Sequence, residues 1–321
     1  MELIARIDRC VSRASSSSKS RAIVLGIGDD AALLRARSGE EVAVSTDTAV
    51  EGVHFDWRVD DASAIGRRAL AAALSDLAAM GARPLGCTLA LAVDANLELR
   101  RLDASLRAFV DEAEKRGCTL SGGNVASAGE TSFAVTVVGA VARGKALLRS
   151  STRAGDGLFV TGMLGGAALA RAVAGSRGGR PSNRFVPPDR LAAGRALAGL
   201  ATSRRRPACI DLSDGLAADL PHLLAGSAGK RLGAEVELDR LPRVRGFERR
   251  CVDVGLDPVE ALVGGGEDYE LLFTLSGRWA QESQLGVLEA RLGAPVTRIG
   301  HIGERPGIRG LPRRYSGYRH F

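Results

Sequence analysis

Residues 62–93 read ASAIGRRALAAALSDLAAMGARPLGCTLALAV, and the fold class follows from this stretch and its neighbours. Apolar residues cover nearly every side of Ala62–Met80, which predicts a long buried helix, and Thr88–Val93 predicts a strand. Working outward, we expect another helix over Leu97–Arg116 and strands at Ala22–Leu25, Glu41–Ser45 and Phe133–Val141. Because strands and helices do not alternate regularly, an α+β fold is favoured over a doubly wound parallel sheet.

A second set of elements begins near Asp156. Its strands are predicted at Leu158–Thr161, Ala208–Leu212, Ala234–Leu238 and Tyr269–Leu275, and its helices over Arg190–Ala201, Leu216–Ala225 and Trp279–Leu292. The polar run Arg149–Gly155 separates the two sets. We therefore expect a two-domain subunit, with a mixed β-sheet domain carrying helices over residues 1–148 and an α+β domain over residues 149–321.

The amino-acid composition is typical of a globular protein and gives no sign of a membrane span. The chain has 321 residues, of which 45% are hydrophobic and 25% charged, as in ordinary globular proteins. No run of about 18 uncharged apolar residues occurs, so no membrane partner is expected. The N-terminus lacks the apolar core of a signal peptide, and the five cysteines are scattered without a C-x-x-C motif. These features predict a reducing, cytoplasmic location.

The net charge of +7 has two interpretations, a nucleic-acid face or an arginine-rich surface that attracts anionic small molecules. The basic runs, such as Arg204–Arg206, are short, and no motif with interleaved aromatic residues accompanies them. We therefore favour the second interpretation and expect no nucleic-acid partner.

The segment Gly26-Ile-Gly-Asp-Asp-Ala31 matches the dinucleotide fingerprint G-x-G-x-x-A after a strand. Two carboxylates, Asp29 and Asp30, would repel a pyrophosphate there, and the short distance to Glu41 leaves no room for a crossover helix. A dinucleotide-binding fold is therefore disfavoured, and the sequence contains no P-loop motif.

Carboxylates collect in apolar or glycine-rich surroundings although the chain is basic. Asp30 follows a glycine-rich turn, Asp47 ends a predicted strand, and Asp76 is the only charged residue between Ala69 and Gly81. A buried carboxylate needs a partner, which is either a metal ion or an arginine such as Arg67, Arg68 or Arg83. We favour the metal.

The second half of the chain repeats this pattern. Asp211-Leu-Ser-Asp214-Gly215 follows a strand and opens a helix, and Gly264-Gly-Gly-Glu267-Asp268-Tyr269 precedes another strand. Helix capping and a tight loop are the structural alternatives for these two motifs. The run Thr161–Gly166 either offers main-chain amides to a phosphate or is a glycine-rich turn with no ligand role. Oxygen ligands without soft ligands predict Mg²⁺ shared with phosphates, and hence phosphoryl transfer from a nucleotide.

Several motifs resemble those of the thiamine-monophosphate kinase family, within the aminoimidazole-ribonucleotide-synthetase-like superfamily. They are Gly28-Asp-Asp-Ala-Ala, Ser45-Thr-Asp-Thr-Ala-Val-Glu-Gly-Val-His54-Phe, Leu74-Ser-Asp-Leu-Ala-Ala-Met-Gly-Ala-Arg-Pro84, Asp211-Leu-Ser-Asp-Gly-Leu and Gly265-Gly-Glu-Asp-Tyr-Glu-Leu. The resemblance runs from Leu3 to Phe321. It implies a homodimer formed through the N-terminal domains and ATP-dependent conversion of thiamine monophosphate to thiamine diphosphate.

The resemblance also implies roles for individual residues. Magnesium ligands are expected at Asp30, Ser45, Thr46, Asp47, Asp76, Asn124, Asp211 and Asp214. ATP contacts are expected at Gly123, Arg149 and Ser213, and contacts to thiamine monophosphate at His54, Glu267 or Asp268, and Tyr318. No covalent nucleophile is needed, because a substrate phosphate oxygen can attack the γ-phosphorus directly. Packing without a ligand role is the alternative for His54 and Tyr318.

Asn124 departs from the family pattern, which has Asp at this place as a magnesium ligand. Since Asn offers one neutral carbonyl oxygen, one metal is expected to bind more weakly. Two alternatives therefore stay open: another ATP-using, ribonucleotide-synthetase-like member of the superfamily, and a nucleotide-binding relative without turnover.

Overall fold

The computed structural model describes residues 9, 11, 22–27, 31–176, 180–202, 205–225 and 232–312. The chain divides into two compact units. The N-terminal unit comprises Met1–Leu77, Arg83–Arg143 and Val173–Val186, and the C-terminal unit comprises Ala78–Ala82, Gly144–Ala172 and Pro187–Phe321. No helix within the described ranges is long and apolar enough to cross a bilayer.

A four-stranded sheet with the strand order β3-β6-β4-β5 forms the centre of the N-terminal unit. The elements are β1 (Ile23–Leu25), β2 (Leu33–Leu34), β3 (Glu40–Val50), α1 (Ala62–Ala79), β4 (Arg83–Asp94), α2 (Leu99–Lys115), β5 (Leu120–Ala128) and β6 (Ser132–Ala142). Strands β4 and β5 are parallel and joined through α2, whereas β6 is antiparallel to both of its neighbours. Strands β1 and β2 form a separate antiparallel pair.

One face of this sheet is covered. Along β6, Phe133, Val135 and Val137 are fully buried, whereas the alternating residues between them are only half-buried. Helix α1 packs on β6, because a Cβ added at Gly139 would lie 2.9 Å from Leu77. The sheet therefore has one apolar inner face and one outer face.

The two helices approach each other at Gly66. A Cβ at this position would lie 2.0 Å from the main-chain oxygen of Ser105 in α2, so only glycine fits. The Ser105 hydroxyl donates a hydrogen bond of 2.6 Å to the carbonyl of Ala62. This close approach fixes α1, which carries Asp76.

The C-terminal unit contains a six-stranded sheet with the order β12-β9-β11-β7-β10-β8. Its elements are β7 (Gly157–Thr161), α3 (Gly166–Ser176), α4 (Leu191–Ala198), β8 (Ala208–Asp211), α5 (Leu216–Leu224), β9 (Gly233–Val236), α6 (Phe247–Asp253), α7 (Pro258–Val263), β10 (Leu271–Leu275), α8 (Leu285–Leu292), β11 (Val296–Gly303) and β12 (Gly307–Arg309). Neighbours are antiparallel except β12 and β9. All residues of β7, β10 and the edge strand β8 are buried, so both faces of this end of the sheet are covered.

The expected α+β fold is confirmed. The predicted helix over Trp279–Leu292 starts later, because Gly277–Ala280 and Glu282–Gln284 form 3-10 turns and α8 begins at Leu285. Strand β5 was not predicted, since its sequence LSGGNVASA has low strand propensity. Pairing with β4 imposes the extended conformation there.

The stretch Val173–Val186 packs within the N-terminal unit although it follows β7 in sequence. Its anchor is Asp60, which is only 1% exposed. The Asp60 carboxylate accepts hydrogen bonds from Arg68 Nη1 at 2.9 Å, Asn183 Nδ2 at 2.8 Å and the main-chain N–H of Asp56 at 2.8 Å. The buried Asp60 carboxylate is thus paired with Arg68 and also accepts a hydrogen bond from Asn183, a residue from a distant part of the sequence.

Candidate active site

Strand β3 places two predicted metal ligands on the inner face of the N-terminal sheet. Ser45 lies opposite Val137 and Asp47 opposite Val135, and both valines are fully buried. Alternation along a strand puts Ser45 and Asp47 on this same face. The Asp47 carboxylate accepts a hydrogen bond of 2.7 Å from the N–H of Thr48.

Helix α1 brings Asp76 to this face. The Ser45 hydroxyl donates a hydrogen bond of 2.5 Å to Asp76 Oδ2, and the Asp76 side chain is half-buried. The three arginines considered as its partners bond elsewhere: Arg67 to Ser63, Arg68 to Asp60 and Arg83 to Glu40. None of these three arginines therefore supports the ion-pair alternative for Asp76, and a metal at Asp76 stays a prediction.

Thr46 points away from this group. It lies opposite Thr136, and the two hydroxyl oxygens are 2.8 Å apart on the outer face of the sheet. The Thr46 side chain is therefore not on the side of Asp47. A contribution of Thr46 to a metal beside Asp47 has to come from its main-chain carbonyl.

Gly123 and Asn124 lie on β5, at the opposite edge of the sheet from β3. With two strands between them, β3 and β5 are about 14 Å apart in a regular sheet. A Cβ at Gly123 would lie 2.0 Å from the carbonyl oxygen of Leu89, so this glycine is required by the pairing with β4. Asn124 is exposed and lies opposite Ala90.

His54 follows β3 in a tight turn. The N–H of Val50 donates to His54 Nδ1 at 3.1 Å, and the N–H of His54 donates to the carbonyl of Val50 at 2.8 Å. Because Nδ1 accepts, the neutral imidazole carries its proton on Nε2. The half-buried ring thus presents an N–H donor with a fixed tautomer.

In the C-terminal unit, the two acidic motifs lie side by side. The N–H of Glu267 donates to the carbonyl of Ser213 at 2.7 Å, and the N–H of Tyr269 donates to the carbonyl of Leu212 at 2.9 Å. Glu267 and Tyr269 have positive φ values of 58° and 50°, which are strained for residues with side chains. The pairing of the two loops maintains this strained conformation.

Asp219 organises the motif Asp211–Gly215 and was not predicted from the sequence. Its carboxylate accepts hydrogen bonds of 3.0 Å from the N–H groups of Asp214 and Gly215. Burial, with the negative charges of Asp211 and Asp214, raises the pKa of Asp219 to about 7. Asp219 thus fixes the main chain at Asp214 and Gly215, at the start of α5.

The structure separates the roles of Glu267 and Asp268. Asp268 is buried and accepts hydrogen bonds from the N–H groups of Gly165 at 2.5 Å and Ala167 at 3.0 Å. The amides of the Thr161–Gly166 run, considered above for a phosphate, thus hold a carboxylate at the start of α3. Burial raises the pKa of Asp268 to about 7 despite these donors. Glu267 is half-buried and pairs with Arg171 at 2.5 Å, so Glu267 is the better candidate for a ligand contact.

Glu270 is a further carboxylate that sequence reasoning missed. It accepts hydrogen bonds from Arg190 Nε at 2.6 Å and Nη2 at 2.8 Å, and from the Thr161 hydroxyl at 2.6 Å. A Cβ at Gly162 would lie 1.8 Å from Glu270 Oε1, and Gly162 has a φ of +56°. Glu270 therefore fixes the glycine-rich turn. Its position in the motif E-D-Y-E was the available signal.

Arg149 lies in the exposed 3-10 turn Arg149–Ser151, which packs against β8 and α5. This turn therefore places Arg149 near the motif that contains Asp211 and Ser213. Two of the predicted site residues, Asp30 and Tyr318, lie outside the described residues.

The side chains present fit magnesium. The candidate ligands offer oxygen atoms only, which Mg²⁺ prefers. Across the part of the chain that the structure describes, no three carboxylate, imidazole or thiol side chains form a metal-binding group. Magnesium is typically held by one or two carboxylates and completed by substrate phosphates and water, so pairs such as Asp211 and Asp214 suit it.

Comparisons with known proteins agree with this fold. Residues 28–141 match the family described as AIR synthase related protein, N-terminal domain. The crystal structure of thiamine-monophosphate kinase from Stenotrophomonas maltophilia K279a is 35% identical with a TM-score of 0.79, over 94% of each chain. E. coli HypE, a hydrogenase maturation protein, has a TM-score of 0.72 at 20% identity over 98% of this chain and 96% of its own, a likeness in fold only. Fold and site define an AIR-synthase-related α+β protein.

Sequence relatives make the assignment narrower. The thiamine-monophosphate kinase of Synechococcus elongatus is 35% identical, over 88% of this chain and 85% of the relative. That of Escherichia coli (strain K12) is 36% identical, over 87% and 84%. The chain belongs to the thiamine-monophosphate kinase family, and the predicted enzyme class, a thiamine-phosphate kinase, is confirmed.

Proposed function

We propose that this chain transfers the terminal phosphoryl group of ATP to thiamine monophosphate and forms thiamine diphosphate. The observation that carries the proposal is the arrangement on β3 and its following turn. There, Asp47 and the Ser45–Asp76 pair supply metal ligands, and His54 supplies a donor for a phosphate. A family structure described as AaThiL complexed with AMPPCP and TMP supports it, at 25% identity and a TM-score of 0.74 over 97% of this chain and 96% of that one.

The transfer is direct and in line. An oxygen of the acceptor phosphate forms a bond to the γ-phosphorus while the bond between that phosphorus and the oxygen of ADP breaks. No enzyme nucleophile enters this step. The described cysteines are free and buried, and burial raises the pKa of the Cys209 thiol well above its usual value. Such thiols are poor nucleophiles at neutral pH.

Magnesium would be held in the N-terminal unit by Ser45, Asp47 and Asp76, and in the C-terminal unit by Asp211 and Asp214. When bound, magnesium neutralises charge on the phosphate oxygens and so lowers the repulsion between two anions. Asp76 orients Ser45 through their hydrogen bond, and Asp219 holds the main chain at Asp214. These bonds fix the oxygen donors before ligands arrive.

Binding and orientation fall to the polar side chains. His54 Nε2–H donates to the phosphate of the acceptor and leaves its own Nδ1 bonded to Val50. Arg149 and Ser213 contact ATP, and Glu267 contacts the acceptor. The strained loop at Glu267 is typical of a residue placed for ligand binding rather than for stability.

The decisive experiment is an assay with purified chain, ATP, magnesium and thiamine monophosphate, with thiamine diphosphate measured directly. We expect one thiamine diphosphate for each ADP. Unphosphorylated thiamine is the control acceptor and should give no product. Formation of ADP without thiamine diphosphate, or absence of both, would contradict the proposal. In the latter case ATP binding without turnover would favour the non-catalytic alternative raised by Asn124.

We propose in addition that the chain is a homodimer joined through its N-terminal units. Strand β3 is an edge strand of 11 residues, and its Val42 and Val44 are 56% and 63% exposed on the outer face. Long edge strands with apolar side chains are normally covered. A second copy of this chain covers both the edge and the outer face in one symmetric contact.

A further inference from the structure

A buried ion pair follows the acidic loop of the C-terminal unit, residues 264–269, and has no role in the reaction proposed above. Glu270 is only 3% exposed, and its carboxylate accepts hydrogen bonds from Arg190 Nε at 2.6 Å and Nη2 at 2.8 Å. The Arg190 side chain is 15% exposed. Because two N–H groups of one planar guanidinium bind one carboxylate, the pair fixes the orientation of both side chains.

The pair also packs against the glycine-rich turn after β7. A Cβ at Gly162 would lie 2.6 Å from Arg190 Nη2, so a side chain at this position would collide with the guanidinium. The Thr161 hydroxyl donates to Glu270 Oε2 at 2.6 Å and accepts from the N–H of Leu271 at 2.9 Å. The Glu270 carboxylate is therefore held by side chains from two other parts of the unit.

Glu270 is placed to control the conformation of the acidic loop. It directly follows Tyr269, and its carbonyl accepts a hydrogen bond of 2.9 Å from the N–H of Leu212. The strained residues Glu267 and Tyr269, with φ values of 58° and 50°, lie just before this fixed point. Strained conformations persist only where the surroundings hold them. The bonds from Arg190 supply such a constraint at the C-terminal end of the loop.

The neighbouring motif Asp211–Gly215 has a separate support. The Asp219 carboxylate accepts hydrogen bonds from two main-chain N–H groups of this motif. Ser213, the expected ATP contact, lies within it. Loss of the constraint from Arg190 should therefore act on Glu267 much more than on Ser213.

We propose that Arg190 is a positioning residue for the acceptor substrate, and that it acts through Glu270 to keep Glu267 in its strained, ligand-ready conformation. The proposal rests on the proposed function, in which Glu267 contacts thiamine monophosphate. Arg190 itself contacts neither substrate. Its role depends on the planar fork of the guanidinium, which a lysine cannot reproduce although it keeps the charge.

Arg190→Lys tests this role by steady-state kinetics. We expect the KM for thiamine monophosphate to rise about tenfold and the KM for ATP to change by less than about twofold. Arg195→Lys, at an exposed arginine on the same helix α4, is the matched control and should leave both KM values unchanged. A merely structural role would lower the melting temperature and the active fraction without moving either KM, and that result would overturn the proposal.

Amide hydrogen exchange reports on the loop without any turnover. The N–H groups of Glu267 and Tyr269, which bond to main-chain carbonyls, should exchange at least about tenfold faster in Arg190→Lys than in the wild type. The N–H of Asp214, which bonds to Asp219, should exchange at the wild-type rate. Unchanged exchange at Glu267 and Tyr269 would contradict the proposal.

A binding measurement separates this proposal from the proposed function. Titration calorimetry with thiamine monophosphate alone should show binding to the wild type and about tenfold weaker binding to Arg190→Lys. If thermal melting shows that Arg190→Lys is unfolded, Thr161→Val carries the test, because it removes the hydroxyl bond to Glu270 at nearly constant size. Equal affinity in the folded variant, or no binding to the wild type, would overturn the proposal. A wild type that binds thiamine monophosphate but forms no thiamine diphosphate refutes the proposed function alone.

Discussion

Among single residues, Asp76 offers the sharpest test of the metal site. Asp76→Asn keeps the size of the side chain and an oxygen that can accept from Ser45, but it removes the charge that would bind magnesium. We expect turnover to be abolished and the fold to be intact by circular dichroism. Asp253→Asn, at an exposed position at the end of α6, is the control. Near-wild-type activity of Asp76→Asn at low magnesium would remove Asp76 from the metal ligands.

At Asn124 we expect a substitution to strengthen magnesium binding, whereas Asp76→Asn is expected to weaken it. We propose that Asn124 is a metal ligand, as the family pattern implies; Asn then supplies a dipole where Asp would supply a full charge, and one magnesium binds more weakly by roughly 1–3 kcal/mol. Asn124→Asp should therefore lower the magnesium concentration for half-maximal rate by about tenfold to a hundredfold, with little change at saturating metal. A magnesium titration of both forms checks this. An unchanged midpoint means that Asn124 is no metal ligand.

Asp268 should make the stability of the protein depend on pH. Its pKa is raised from an ordinary value of 3.8 to about 7, so between these values the folded state binds more protons than the unfolded state. The contribution of Asp268 to the free energy of unfolding therefore falls as pH rises from about 4 to 7, by on the order of 1 kcal/mol per pH unit. Urea unfolding at pH 5, 6 and 7 should show a shallower decline in Asp268→Asn. Parallel curves would show that burial does not perturb this carboxyl.

Part of the candidate site could be predicted from the sequence, residue by residue. Motifs singled out Ser45, Asp47 and Asp76, because oxygen ligands in apolar surroundings stand out. They did not reveal that Thr46 faces the other side of the sheet, which depends on the register with β6. They also left Glu267 and Asp268 equivalent. Only the packing of Asp268 against α3 separates them, and packing is not encoded in spacing.

Among the elements, long strongly patterned segments were predicted well. The helix expected over Ala62–Met80 is found at Ala62–Ala79, and the strand expected over Phe133–Val141 is found at Ser132–Ala142. Strand β5 was missed because its glycines and small residues give no strand signal, and tertiary pairing alone determines it. Local propensity thus located the edge strand β3 and the inner strands β4 and β6, but it missed β5 and, in the C-terminal unit, β11.

The proposed dimer is tested on strand β3. Val42→Lys puts a charge on its exposed outer face and should convert dimer to monomer at micromolar concentration. Light scattering measures the mass. Val252→Lys, at a residue 67% exposed on α6, is the control and should remain dimeric. A wild type that is monomeric under these conditions would contradict the dimer.

At the scale of the whole molecule, the attachment of Val173–Val186 to the N-terminal unit should contribute to stability. Asn183→Ala removes a hydrogen bond to the buried Asp60 carboxylate and should cost about 2 kcal/mol of unfolding free energy. Arg184→Ala removes only an exposed pair with Asp61 at 3.6 Å and should cost less than about 1 kcal/mol. Denaturant unfolding of both variants compares them. Equal losses of unfolding free energy would show that the buried hydrogen bond from Asn183 stabilises the protein no more than the exposed ion pair of Arg184.

The position of Val173–Val186 also bears on how such chains can be recombined. A hybrid gene joined at residue 148, with each half from a different relative, would combine Asp60 and Arg68 of one parent with residue 183 of the other. Hybrids that in addition exchange residues 173–186 along with the first half keep each parent's buried contacts together. Natural and laboratory chimaeras of this fold should therefore tolerate the exchange of both segments better than a single junction at residue 148. The sequence alone predicts only that single domain boundary.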